Sequence, residues 1–167
     1  IVSYQTAAAY ALLVNAARDR DRWLSSFLSV EWRAVRGWRD WPYAYVIPAR
    51  PPQDSIALAT LLGILQRGQV EIRTALQAFT LQGQRHPAGT YVVVLRQPYA
   101  AFAKTLLEPQ HYPDRRLYPG GPPERPYDVT AHTLPLLMGV TAVVAPDSLR
   151  VPLSAPVSAP RATPGYP

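Results

Sequence analysis

YAYVIPARPPQDSIALATLLGILQRGQVEIR, residues Tyr43 to Arg73, places two short strand-like runs on either side of one helical apolar pattern. Tyr43 to Ile47 is aromatic and β-branched, and it stops at Pro48, which has no N–H to offer a neighbouring strand. Ala49 to Gln53 reads as a proline-rich turn. Asp54 or Ser55 can cap the helix that follows, because a short side-chain oxygen there accepts from N–H groups that the first turn leaves unpaired. Ile56, Leu58, Leu61, Leu62 and Leu65 form its apolar face, and Gly68 is placed to end it in a left-handed cap. Val70 to Arg73 then reads as a second strand. A strand, helix, strand unit of roughly thirty residues implies parallel strands joined by a right-handed crossover. The expected fold class is therefore α/β, a small, mainly parallel sheet in three layers.

Downstream, TYVVVLR from Thr90 to Arg96 is a continuous apolar run, expected to be buried on both faces. Between it and Ala78 to Leu81 lies LQGQRHPAG, where Gly83, Pro87 and Gly89 suit a β-hairpin or a short excursion between two strands. Tyr99 to Glu108 is a short helix that ends at Pro109. Thirteen of the 19 prolines lie from Pro109 onward, so the ordered core is expected ahead of that point. Pro109 to Pro126 reads as an extended strap pinned by Tyr112, Leu117 and Tyr118. Asp128 caps a helix starting at Val129, Pro135 shortens or kinks it, and Gly139 closes it before a last strand, Val140 to Val144.

Upstream, Ser3 to Val35 is expected to be one long helix with Trp23, Phe27, Val30 and Ala34 on one stripe. Arg18 to Arg22 forms a polar collar within it, and Trp32, Trp38 and Trp41 add more aromatic surface than one stripe hides. This divides the chain into a long helix and connection over 1–41, which packs on a domain upstream, an α/β unit over 42–145, and a flexible proline-rich tail over 146–167. The chain opens at Ile1, directly into a helical pattern, and reads as a piece of a longer polypeptide.

The net charge of +6 is carried almost wholly by arginine, Lys104 being the one lysine, and no basic stripe alternates with stacking aromatics. Diffuse charge of this kind is a solvated face, so no nucleic-acid partner is expected. No apolar run is long enough to span a bilayer, and with zero cysteines there are no disulfides or thiolate metal sites. The turn after the first strand has no glycine-rich phosphate loop, which argues against a dinucleotide. In a doubly wound sheet the ligand crevice lies beyond the strand ends, which nominates Arg50, Gln53, Gln97 and Tyr99 for binding a peptide or glycan. His86, His111 and His132 stand in no metal motif. The nearest approach to one is His111 with Asp114 and Glu108 around a proline turn, joined by His132. There is no nucleophile elbow. Of the acids that could form a general acid and base, Glu108, Asp114, Glu124 and Asp128, Asp128 is better explained as a cap and Glu124 as a partner for Arg125 or a surface charge, so no catalytic residue is assigned.

Four blocks together carry a family resemblance: PYAYVIPA, ALATLLGILQRGQVEI, HPAGTYVVVLRQPYAAFAKTLLEPQHYPD and YPGGPPERPYDVTAHTLPLLMGV. In this order, over about Arg33 to Val144, the chain resembles the region downstream of the peptidase domain in large bacterial zinc carboxypeptidase-like proteins of the carboxypeptidase A type. The resemblance implies an exported parent that releases residues from peptide C-termini, with zinc held by a His-x-x-Glu pair and a later histidine. None of those motifs occurs in this chain, so none of the family's catalytic residues maps onto it. The segment is then expected to be a non-catalytic accessory domain, resembling a class I amidotransferase sheet without its nucleophile, with no cofactor of its own and zinc in the parent's catalytic domain. Its alternative role is a peptide- or glycan-binding module using the crevice beyond the parallel strands.

Overall fold

The computed structural model describes residues 2–49, 54–109, 111, 113–124 and 133–160. Two helices lead, α1 (Val2–Arg18) and α2 (Arg20–Arg36), where one was expected. The break falls at Asp19, within the polar collar, whose backbone leaves helical geometry at φ −105° and ψ 31°. A polar clasp spans it. Asn15 donates to the Asp19 carboxylate at 3.1 Å and accepts from the Trp23 indole N–H at 3.0 Å.

The sheet strands are β1 (Ala44–Ile47), β2 (Arg73–Thr74), β5 (Tyr91–Val94) and β6 (Val143–Ala145), in the order β2-β5-β1-β6. The remaining strands, β3 (Phe79–Leu81) and β4 (Gln84–His86), form a separate hairpin. Every hydrogen-bonded pair is antiparallel. The fold is therefore α+β, which corrects the expected parallel, amidotransferase-like sheet. The crossover reading fails for a definite reason. β1 and β2 each pair antiparallel with β5, so they point the same way, but β5 lies between them. The helix between them, α3 (Ser55–Arg67), thus returns the chain two strand positions away, and the gap is filled by a strand from later in the sequence.

The register explains why all four residues of β1 are buried. Tyr45 opposite Val93, with Ile47 and Leu95, faces a core made with Leu58, Leu61, Leu62 and Leu65 of α3. Ala100, Ala103 and Leu107 of α4 (Ala100–Leu107) close the same core. Ala44, Val46, Val92 and Ala145 point the other way, against Phe79 and Leu81 of the hairpin and against Leu149 and Leu153. Each fully buried branched side chain contributes roughly 1.5–3 kcal/mol relative to exposure, so helices on one face and hairpin plus tail on the other both hold the sheet. The expectation that TYVVVLR is buried on both faces agrees with Val92 and Val93.

Local chemistry sets the remaining elements. Asp54 accepts from the N–H groups of Ile56 and Ala57, as the capping reading expects. α5 (Leu134–Met138) has Pro135 in its first turn, where a missing N–H costs nothing, and Gly139 ends it in the left-handed conformation. Asp128 lies outside the described residues, as does the expected start of that helix at Val129. Gly68 corrects its reading: it caps α3 at φ −80°, and the left-handed residue is Gln69, at φ 62°.

The strap also differs from expectation over its described residues. Arg115 to Glu124 folds back on itself, with Glu124 N–H donating to Arg115 O at 2.8 Å, and Leu117 and Tyr118 are exposed rather than acting as pins. Tyr112 lies outside the described residues. Residues 152–157, within the segment expected to be a flexible tail, run along the outer edge of β2. Ser154 donates to Thr74 O at 2.9 Å and Val157 to Ile72 O at 2.8 Å. Gln66 donates to Val157 O and accepts from Ala159 N, both at 2.6 Å. An edge strand with unpaired backbone groups is a pairing liability, and this extended segment covers it.

Candidate functional site

The crevice nominated from a parallel sheet does not form. In the antiparallel register Ala44 stands opposite Val94 and Ile47 opposite Tyr91. The last residue of β1 and the last residue of β5 therefore lie at opposite ends of the sheet. Gln97 has a different task. It is 5% exposed, its amide donates to Val94 O at 2.6 Å and to Glu71 O at 3.1 Å, and its oxygen accepts from Glu71 N at 2.6 Å. Tyr99 occupies the N-cap position of α4 with its side chain partly in solvent. Arg50 and Gln53 lie outside the described residues.

The metal candidates that are described form no metal-holding group. His111 is exposed, Asp114 is held by Arg116 at 3.1 Å, and His132 lies outside the described residues. Among the described residues no three His, Asp or Glu side chains are close enough to hold a metal ion. Glu108 is paired with Lys104 one helical turn away, and its backbone oxygen accepts from the Thr133 hydroxyl at 2.7 Å.

Two titratable groups are buried in the cores. Burial first, and the Glu108 carboxylate second, push the Tyr45 phenol up to about 12, so it stays protonated at neutral pH and serves as no base. Burial lowers the pKa of His86, which stacks on Phe79 with centroids 5.2 Å apart. Its Nε2 is buried without a partner. Stacked on Phe79 and shielded from water, this imidazole packs as part of the apolar layer beneath the hairpin.

Of the concave regions among the described residues, two bring aromatic and charged side chains together. One, of about 600 Å³, lies along the α1–α2 joint between Trp23, Phe27, Val30 and Arg22. The other, of about 350 Å³, sits at the end of the sheet where β1 begins and β5 and β6 end. Its wall joins Trp38, Arg39 and Trp41 from the loop after α2 to Tyr43, Arg96 and Asp147. The sequence gives little sign of this grouping, since the residues come from three separate segments. The one signal is the density of tryptophan and arginine from Trp32 to Trp41.

No helix among the described residues is long and apolar enough to cross a membrane. Comparison with known proteins finds no matching family model, no matching curated protein and no matching solved structure.

Proposed function

We propose that this chain is a non-catalytic accessory α+β domain of an exported zinc metallocarboxypeptidase-like protein, with the α1–α2 arm docked on the catalytic domain of the same parent chain. The support from sequence is the four-block resemblance. The observation that carries the role is the state of the arm. α1 buries no residue and α2 only Ala34, while the sheet core is closed by α3, α4 and α5.

Tyr4, Tyr10, Trp23, Phe27 and Trp32 are between 49% and 82% exposed. At about 150–250 Å² per buried aromatic, these five, which are spread around the two helices, total on the order of 600 Å² of exposed area, against the roughly 800 Å² each partner contributes to a standard interface. Leu12, Leu13, Leu24 and Leu28 are exposed on the same two helices. An arm of this kind has the composition of half an interface. A catalytic domain of the same polypeptide is a permanent partner, so a large apolar contact suits it better than it would a transient one.

The test compares the 167-residue chain with its longer parent for bound zinc and for release of C-terminal residues from peptides. The parent is expected to show both and the isolated chain neither. Phe27→Glu in the parent is expected to free the accessory domain, read as new protease sensitivity between the two. Stoichiometric zinc on the isolated chain, or an upstream sequence without a His-x-x-Glu pair, overturns the reading.

A further inference from the structure

We infer that the cavity at the end of the sheet, walled by Trp38, Trp41 and Tyr43, binds a small organic carboxylate through Arg39 and Arg96. The volume, about 350 Å³, lies at the small end of the range for ligand sites, enough for one ring or one amino-acid side chain with its carboxylate.

The site is built on fixed backbone. Tyr43 donates to Ala145 O at 2.8 Å, and Leu95 donates to Tyr43 O at 2.9 Å, so three of the wall segments are tied to the sheet ladder. Trp38 and Trp41 stack with centroids 5.2 Å apart at 27°, which makes one stiff apolar wall.

Arg96 is held in place without an acid. Its guanidinium lies 6.0 Å from the Tyr43 ring centroid. Its stem and Nε lie against Gly37, where a β-carbon would stand 2.9 Å from Nε. Gly37 also has φ +87°, so that position takes glycine on two counts. Among the described residues neither Arg39 nor Arg96 has a carboxylate within ion-pair distance. A guanidinium oriented by stacking keeps its fork of N–H donors for a ligand, and a carboxylate is the group that matches that fork.

Asp147 shares the wall and, among the described residues, has no cation within ion-pair distance, so the cavity offers two cations and one anion. That balance suits a single negative charge. A phosphate dianion would exceed that net single positive charge and leave the tryptophan wall without an apolar group to cover. The favoured ligand therefore pairs one carboxylate with a flat or ring-shaped body, as do a free peptide C-terminus ending in an aromatic residue and an acidic sugar.

The test uses the full 167-residue chain and its tryptophan fluorescence, since Trp38 and Trp41 form the wall. N-acetylphenylalanine and glucuronate represent the two ligand sources, with N-acetylphenylalanine amide and inorganic phosphate as controls. A saturable change is expected for at least one of the two carboxylates, with Kd on the order of 1 mM or tighter. Loss of the carboxylate in the amide, and Arg96→Gln or Arg39→Gln, are each expected to weaken binding about tenfold or more.

No saturable change with either carboxylate, an amide as tight as its acid, or binding of phosphate alone overturns the inference. If Arg96→Gln melts well below the parent, Arg39→Gln and the acid–amide comparison decide the matter. Zinc content and peptidase activity play no part in the readout, so the outcome stands apart from the role proposed for the whole chain.

Discussion

Gly68 lies directly beneath the ring of Phe102, so that a β-carbon built on it would stand 2.1 Å from Phe102 Cε1. The residue that ends α3 is thereby fixed by a neighbour on α4. Its backbone, at φ −80°, is open to any amino acid, and the constraint is purely spatial. Because the Phe102 ring is 40% exposed and can swing aside, Gly68→Ala is expected to displace that ring and to cost less than about 1 kcal/mol. In a Phe102→Ala background the same change is expected to be neutral or to stabilise by roughly 0.4–1 kcal/mol, because alanine narrows the unfolded ensemble. Equal costs in the two backgrounds, measured by denaturant unfolding, would show that the close approach is not the cause.

His86 predicts the direction of a pH effect. It is 1% exposed and burial lowers its pKa below the usual 6.5, so the unfolded chain binds the proton more readily than the folded one. Its contribution is present in full above about pH 6.5 and is lost as pH falls through that value toward the folded-state pKa. Melting temperature is expected to fall between about pH 7.5 and pH 5.5, and His86→Phe is expected to flatten that slope. A His86→Phe variant with the parent's slope would place the effect elsewhere.

Gln97 predicts a stability effect at a position where a ligand contact was expected. Gln97→Leu keeps the bulk but strips the Glu71 N–H and the Glu71 and Val94 carbonyls of their partners. The expected cost is about 1–3 kcal/mol, seen as a lower denaturant midpoint at unchanged slope. A variant as stable as the parent would contradict the bridging role.

Gln66 predicts local loosening at the far end of the chain. Gln66→Ala removes both side-chain hydrogen bonds to the segment over Val157 to Ala159. Amide exchange at Ala159 is expected to quicken by about tenfold or more, while Ser154 and Val157, bonded to Thr74 and Ile72, change far less. Uniform exchange along this segment in the parent would mean that it does not dock as described.

What could be read residue by residue was whatever rests on local chemistry. Asp54 caps α3 because an aspartate oxygen reaches the first free N–H groups two and three residues on. Gly139 turns left-handed because α5 has to end, and α3 and α4 follow from apolar spacing within one helix. The uninterrupted valines of β5 required cover on both faces wherever that strand lay.

Strand order and the contents of the cavity needed the whole fold. That β5 inserts between β1 and β2 depends on the pairing of residues nearly fifty apart, such as Ala44 with Val94, and no local preference encodes it. The same long-range pairing removes the parallel sheet on which the expected crevice rested, turns Gln97 into a backbone bridge, and brings Arg39, Arg96 and Asp147 to one cavity. Composition marks the segment after Pro146 as a linker, because proline count says nothing about the exposed β2 edge that its remaining N–H groups can reach. Sequence alone determined those pieces whose partners lie within a few residues, such as α3 with its Asp54 cap and the Gly139 end of α5, but neither the break at Asp19 nor the left-handed turn at Gln69. Tertiary structure decided which surfaces meet, because those contacts join segments that are distant along the chain.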